Sequence, residues 1–399
     1  MAMLGEGGFY LAAGPFFSPQ TVLPALVAGL GGGNVAVGAI GVITYAGVFL
    51  PQAFAARHVV GARWKKPGAL VFGAMQRSAV LLLALAVLLF GASRPGVALA
   101  LVLSLFALNQ VLLGIAALVW FDLFIKVTPL GWRGRLVGAR NALGGAISVL
   151  GGVALTWMLA THVFPRGFAL ALLAAFALQL FSLLAQLPIV ETDPSPVTPV
   201  RPLPAFLREL RAVLRHDRDF ARFVGYAAVS YLAMMPAGFF TVYALKRLHA
   251  DAAAVGGLTL TMVTVQVISA PLCGLFADRF GNKVALTVSA SALLCANAWA
   301  LLAPTLAAFT LVFAFLGVNL GTEYMARHNM AAEYAPEEQR AAYVGIMNTT
   351  LAPFCLSGLL GGVISDAFGY RAVFGLGVAL SLAALVLLAR VHDPRHSRR

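Results

Sequence analysis

Charge is what this chain has least of. Of its 399 residues 15 are acidic, and residues charged with either sign make up 11%, against about a quarter in soluble domains. Cysteine is scarce too. Cys273, Cys295 and Cys355 all fall inside or at the ends of apolar runs, which argues against a disulfide or metal framework and leaves them as small packing residues. The seven histidines scatter toward loops, so no metal or other cofactor is expected. A phosphate-cradling loop of the Gly-x-x-x-x-Gly-Lys-Ser/Thr type is missing, which argues against ATP as the energy source. Residues 1–8 contain no Lys or Arg, so a removable leader is not expected and the first helix reads as retained.

What the chain does have is apolar length. Hydrophobic residues make up 60% of it, far more than a water-exposed fold can hide. Runs long enough to cross a hydrocarbon core of about 30 Å recur at 9–30, 35–56, 68–90, 96–125, 136–159, 167–187, 220–245, 252–276, 284–302, 306–330, 341–364 and 370–388. Their length and lack of strict alternation exclude a β-barrel. The expected fold class is an all-α polytopic membrane protein with twelve transmembrane helices.

The formal net charge of +13 invites a nucleic-acid reading, which the placement of the charges opposes. With the amino terminus in the cytoplasm, 22 of the 28 basic residues fall on that side and five on the other, with Arg77 inside a span. The positive-inside rule then places both termini in the cytoplasm. The basic character is topological, the partner it implies is the lipid bilayer, and no nucleic acid is expected.

Two halves emerge. The proline-rich, polar stretch from Pro188 to Pro204 reads as a linker. Behind it Phe206, Leu207, Leu210, Val213 and Leu214 share one helical face and Arg208, Arg211 and Arg215 the other, an amphipathic helix suited to the membrane interface. The expected organisation is a six-helix bundle over 1–190, a cytoplasmic linker over 191–218 and a second bundle over 219–399. The halves repeat one another. At an offset of 207, Pro129, Arg133, Gly138, Asn141 and Gly151 match Pro336, Arg340, Gly345, Asn348 and Gly358; at 220, Pro51, Gly61 and Arg63 match Pro271, Gly281 and Lys283. Two pseudo-symmetric six-helix bundles in parallel repeat are a transporter architecture, with the site near the midplane between halves.

Between the eighth and ninth runs stand Gly274, Asp278, Arg279, Gly281 and Lys283, in the spacing glycine, three residues, aspartate-arginine, one residue, glycine, one residue, lysine. On this motif, and along nearly its whole length, the chain resembles the major facilitator superfamily of secondary transporters. The equivalent first-half loop, Pro51 to Lys66, is eroded: His58 stands where the aspartate belongs, while Gly61 and Arg63 remain. The glycine-proline pair of antiporters is absent from the fifth run, and the fourth holds Asn109-Gln110 without a buried arginine. These departures weigh against a proton/drug antiporter.

Elementary chemistry gives the motif a role of its own. Gly281 is placed to end a helix in the left-handed conformation, Asp278 to cap a helix or pair with a cation such as Arg340, and Lys283 to meet helix-terminal carbonyls. Together with Asp122, Arg133 and Arg340 these residues form a candidate conformational latch; the alternative is a tight turn with snorkelling charges. The resemblance implies that the latched state is the outward-open one.

A charge deep in a span costs about 2.5–3.5 kcal/mol on insertion scales. Glu323 stands out among the acids as lying well inside a run, and the resemblance implies that its span lines the central cavity. It can bind a cationic substrate, carry a proton, or simply pair with Arg327 one turn on. Arg77 is expected to be paired structurally, with Glu6 as a candidate. Gln20, Tyr45, Asn109, Gln110, Tyr231, Asn319 and Tyr324 complete the candidate substrate-binding or coupling set, with interhelical hydrogen bonding as the plainer reading for the amides. Small-residue stripes at Gly134, Gly138, Ala142 and Ala146 and at Ala341, Gly345 and Thr349 suit helices that slide, and Pro15, Pro19, Pro24 and Pro236 are candidate flexing points.

The function expected from all this is alternating-access transport of a small organic solute by a monomer in the plasma membrane (the inner membrane of a bacterium), driven by protons or by diffusion. The sparse polar set tilts the expectation toward export. A membrane-embedded enzyme acting on lipid needs clustered carboxylates or histidines, and a transporter-like sensor needs an added cytoplasmic domain; neither is present in the sequence.

Overall fold

The computed structural model describes residues 1–59, 63–194 and 203–394. Gly61, the proline-rich residues 195–202 and residues 395–399 lie outside the described residues, as do the side chains of Arg57, His58, Phe206, Leu207 and Ala341.

Among the described residues the regular structure is helical, and eleven spans are long and apolar enough to cross a membrane. The twelfth is a bent pair. Its first part, α1 (Ala2–Ala12), runs through a 3₁₀ turn at Gly14–Phe17 and restarts as α2 (Val22–Gly29), with a bend of 43°. Pro15 and Pro19 sit in the break, where the missing N–H and fixed φ of proline make a continuous helix unfavourable. The first span therefore starts at Ala2, earlier than the apolar run beginning at residue 9, because Glu6 is accommodated inside it.

The remaining first-half spans are α3 (Asn34–Val59), α4 (Lys66–Phe90), α5 (Pro95–Val127), α6 (Leu130–Thr161) and α7 (Arg166–Gln186). The amphipathic α8 (Leu203–His216) leads into α9 (Arg218–Ala233), whose first turn is capped by Asp217 accepting from the Phe220 N–H at 2.9 Å. In α8, Leu210, Val213 and Leu214 pack on the second-half core, so this face is covered by protein. Span seven breaks ahead of Pro236 and continues as α10 (Ala237–Arg247). Then come α11 (Ala252–Phe280), α12 (Asn282–Leu302) and α13 (Leu306–Tyr334). Span eleven is α14 (Arg340–Leu351) and α15 (Ser357–Phe368), joined by a 3₁₀ turn around Pro353, a break that the continuous apolar run does not announce. The last span is α16 (Tyr370–Arg390).

The core shows how the halves meet. At the end away from the chain termini one buried cluster runs through both, with Leu26, Phe106 and Leu172 in continuity with Phe240, Phe313 and Phe374. At the terminus-bearing end the cores are separate: Leu123 and Phe124 belong to one, Phe220, Phe223 and Ile346 to the other, which the first half joins through α3 around Ala46. The molecule is thus sealed at one end and cleft at the other.

Glycine makes the seal close. A Cβ on Gly38 of α3 would lie 2.0 Å from the Gly358 carbonyl oxygen of α15, and one on Gly256 of α11 would lie 2.4 Å from Thr156 Cα of α6. Asn34 locks the rim, donating to Asp366 Oδ1 at 2.7 Å and accepting from the Tyr370 hydroxyl at 2.7 Å. The stripe glycines Gly134, Gly138 and Gly345 face open space. In this conformation the tight helix approaches are made farther along the spans than the stripes implied.

Candidate functional site

A buried polar cluster in the second half is built on α13. Glu323 and Arg327 sit one turn apart, both buried, with their ion pair at 3.4 Å. Around them two other helices, α9 and α12, supply partners. Ser230 of α9 donates to Glu323 Oε1 at 3.3 Å, and Ser289 of α12 donates to Oε2 at 2.8 Å. Asn319 holds that serine by donating to its Oγ at 2.9 Å. Arg327 donates to the Tyr231 hydroxyl at 3.1 Å and stacks over the same ring, 4.6 Å from its centroid. Tyr231 in turn meets Tyr45 of the first half edge to face, with centroids 5.5 Å apart.

All of these side chains except Ser289, together with Tyr324 and Met234, line a cavity of about 80 Å³. Tyr45, Tyr231 and Met234 also line its neighbour, where Gln20, Gly38 and Cys355 join them between the halves. Both Glu323 oxygens have partners. The Arg327 Nε–H and the Tyr226 hydroxyl, both buried, have none. Spare capacity therefore lies with donors, and an incoming group meets an unsatisfied N–H more readily than a free carboxylate.

Of the candidate residues, Glu323, Arg327, Tyr231, Tyr45, Asn319 and Tyr324 converge here, and Gln20 borders the adjoining cavity. Asn109 does not: its amide donates to the Gln76 carbonyl of α4 at 2.8 Å, joining two first-half helices. Gln110 donates to the Thr44 carbonyl of α3 at 3.2 Å. Ser230, Ser289 and Tyr226 are missing from the candidate set, because a lone hydroxyl in an apolar run looks like any small residue until three helices are brought together.

Arg77 is held by the Gln179 carbonyl at 2.7 Å, the Gly73 carbonyl at 2.9 Å and Ser182 Oγ at 3.0 Å. The expected pairing with Glu6 is corrected: Glu6 forms its ion pair with Arg140, at 3.5 Å. Glu6 is itself a deeply buried acid, so Glu323 is not alone at depth.

The latch residues separate into several contacts. Asp122 pairs with Lys65 at 3.3 Å, while Arg133 donates to the Ile125 and Thr128 carbonyls at the end of α5. Arg340 pairs with Glu337 at 3.7 Å. Lys283 Nζ donates to the Ala389 and Val391 carbonyls at the end of α16, 3.2 and 2.7 Å away. Arg279 lies over the Phe280 ring, 5.2 Å from its centroid. Gly281 has φ 94° and ψ 157°, a glycine region beyond the left-handed helical one expected for it. That conformation reverses the chain in a single residue between α11 and α12. Gly274 and Asp278 are exposed toward the cleft end.

Glu191, in the segment expected to be free linker, docks instead. It accepts from the Lys65 and Lys66 backbone N–H groups at the start of α4 and from Lys126 Nζ at 2.7 Å. Burial pushes its carboxyl up, but these hydrogen bonds and charges outweigh burial and hold it below the usual carboxylate range. A folded-state value below the unfolded one contributes stability above about pH 4.3 that is lost as pH falls through the folded value. Glu191→Gln should therefore lower the melting temperature at neutral pH and flatten the acid limb of its pH profile, measured by scanning fluorimetry; an unchanged limb would show the contact to be energetically idle.

A twelve-span, two-bundle molecule with a polar site between its halves is a membrane transport fold. The family comparison agrees: residues 222–399 match the Major Facilitator Superfamily model. Solved structures match along the whole chain. A mutant form of the nucleoside transporter NupG aligns at TM-score 0.70 and 13% identity over 98% of this chain and 100% of its own. The inward-open xylose transporter XylE from E. coli aligns at 0.69 and 13% over 98% and 96%, and a POT family transporter in complex with 5-aminolevulinic acid at 0.72 and 11% over 97% and 95%. No curated protein matches the sequence. The second half of the chain thus matches the Major Facilitator Superfamily model, the whole chain shares the fold of these solved transporters, and it is a multi-pass membrane protein.

Proposed function

We propose that this protein carries a small organic solute by alternating access, the two six-helix halves (1–190 and 219–399) rocking about the site between Tyr45 and Tyr231. The observation that carries the reading is the joined core at one end and the split core at the other around a buried polar cavity. With both termini in the cytoplasm, as the positive-inside count indicates, this conformation opens inward, and the Asn34–Asp366–Tyr370 lock is the outer gate. Exposed Asp278 then belongs to the latch of the closed cytoplasmic side, while Lys283 ties α12 to the end of α16 within the second half in this conformation already.

The site favours a solute that presents hydrogen-bond acceptors and a flat or apolar face. Arg327 has N–H groups to give, Glu323 has its oxygens occupied, and Tyr45, Tyr231 and Tyr324 offer ring surface. That ranks an acceptor-bearing solute above the cation that an isolated Glu323 would select. Transporters of nucleosides and of xylose share the fold, in keeping with polar organic cargo.

A ligand that binds the folded state stabilises it by mass action, by about 2.7 kcal/mol at a hundred times its Kd, and so raises its melting temperature. Purified protein screened against a panel of metabolites should respond to carboxylate- or carbonyl-bearing ring compounds and should ignore simple amines. A response confined to cations would reverse the assignment. Counterflow of the responding compound in proteoliposomes then tests transport itself.

A further inference from the structure

The first half buries a second charged cluster that the central site does not use. Glu6 of α1, 4% exposed, faces Arg140 of α6 at 3.5 Å and accepts from Gln186 Nε2 of α7 at 3.4 Å. Arg77 of α4 lies behind it, 5.5 Å from the Tyr10 ring centroid. The Arg140 guanidinium lies over the Trp120 ring of α5, 4.5 Å from its centroid, in a seat left by Gly7: a Cβ there would fall 1.7 Å from Arg140 Nε. The charged and titratable groups around Glu6 are thus Arg140, Arg77 and Tyr10, while α5 and α7 bring Trp120, Gln179 and Gln186, which do not titrate.

The cluster is poorly satisfied. Glu6 Oε2, Arg140 Nε, Gln179 Oε1 and Gln186 Oε1 are buried without a hydrogen-bond partner, and the Trp120 N–H is directed at Glu6 without a well-formed bond. Buried polar atoms are nearly always paired, so this group of orphans in one cluster needs a cause. The contrast with Glu323 is instructive. That carboxylate has a hydrogen bond of 2.8 Å on one oxygen and two further partners on the other; Glu6 has two contacts, both at the outer limit of hydrogen bonding.

From this geometry we propose that Glu6 is a proton-binding site, and that its protonation state controls the hold of α1 on α6. A proton delivered by hydronium adds to Glu6 Oε2, forming one O–H bond there, breaking one in the hydronium and releasing one water. The new hydroxyl can donate to the unpartnered amide oxygen of Gln186, which the ionised form cannot do. The charge of Glu6, Arg77 and Arg140 together rises from +1 to +2, and the ion pair that fixes Arg140 is lost. Loss of the proton to water reverses each step. Access is short: a groove of about 590 Å³ at the terminus-bearing end runs along Met1–Leu4 and along Leu136 and Ala139 of α6, one turn from both charges.

The consequence is mechanical. α6 carries Arg140 at its cleft end and, farther along, packs on α11 of the other half through Gly145 against Val267 and Gly152 against Leu260. A proton on Glu6 therefore loosens the first span from the helix that bears on the partner half. Its use in coupling rests on the transport reading above; proton binding itself does not.

The test needs no solute. Trp120 reports on Arg140, so its fluorescence should follow Glu6. Trp157 lies 6.1 Å from the His162 ring and would add its own response, so Trp157→Phe serves as the background. In nanodiscs, titration from about pH 9 to about pH 4 should give a single fluorescence transition, across the range where perturbed carboxylates titrate. Trp120→Phe and Glu6→Gln should each remove it, and Glu323→Gln should leave it in place. Should Glu6→Gln fail to fold, Gly7→Ala displaces Arg140 while keeping the carboxylate. It should abolish the Trp120 transition, yet the protonated-carboxyl band in infrared titration should remain. A flat wild-type signal, a transition unchanged in Glu6→Gln, or its loss in Glu323→Gln overturns the assignment. Absence of counterflow with these titrations intact would instead count against the transport reading alone.

Discussion

Arg327→Met should abolish solute-induced stabilisation and transport, and it should cost more in stability than any other single change at the central site. The methionine keeps most of the side-chain volume but strands Glu323, which is left with two serine hydroxyls in a site almost closed to water. Breaking a buried ion pair from one side costs about 3–5 kcal/mol, because the remaining charge is uncompensated. The Tyr231 hydroxyl loses its donor as well. Glu323→Gln alone should be milder, since the amide can still accept from Ser289, and the double variant should recover much of the stability without recovering binding. A double-mutant cycle measured by denaturation in nanodiscs reads the coupling. Arg327→Met that still binds the responding solute with unchanged affinity would remove Arg327 from the site.

Gly38→Val should throw the equilibrium toward the outward-open state. Any Cβ at this position lies 2.0 Å from a backbone oxygen of Gly358, and backbone cannot turn aside as a flexible side chain can. The α3–α15 contact must separate, at an overpacking cost of about 1–3 kcal/mol, which shifts a two-state equilibrium by roughly 5- to 150-fold. Cys355 is a native reporter, buried beside Tyr45 and Tyr231 on the cavity wall. With Cys273 and Cys295 replaced, its labelling by an impermeant thiol reagent from the outer face should accelerate by a factor in that range. Labelling that stays as slow as in the parent would show that the seal does not depend on this approach. Gly138→Val, whose Cβ position meets open space in this conformation, is the contrasting variant: it should leave the inward-open state undisturbed.

Much of the fold is legible in the sequence because lipid simplifies the problem. Each span must satisfy its own backbone and be apolar over about twenty residues, so counting runs counts helices. The first span reads as starting late because Glu6 interrupts the apolar pattern, and composition cannot say that Arg140 waits to receive it. The breaks at Pro15 and Pro236 are readable from proline chemistry. Pro353 carries the same chemistry at the break in span eleven, but it sits inside a run that reads as continuous.

The site is legible in its charges and illegible in its hydroxyls. Glu323 and Arg327 stand out since a charge at depth is costly, and their spacing of one turn foretells a contact between neighbours on one helix face. Asn109 and Gln110 look equally eligible, yet their amides turn to carbonyls of α4 and α3. Which face of a helix looks into a cavity depends on how the bundle is packed, and that is a property of no single span.

By itself, the sequence determined the helices and the motif that ends α11 at Gly281. Both follow from local cost: apolar length, and a backbone region open to glycine. The tertiary structure alone decided which charges pair, that Glu191 docks, that Glu6 is left poorly held, and that the halves are sealed at one end and cleft at the other. Those outcomes rest on distances between residues far apart in the chain, where an ångström separates a satisfied carboxylate from one ready to take a proton.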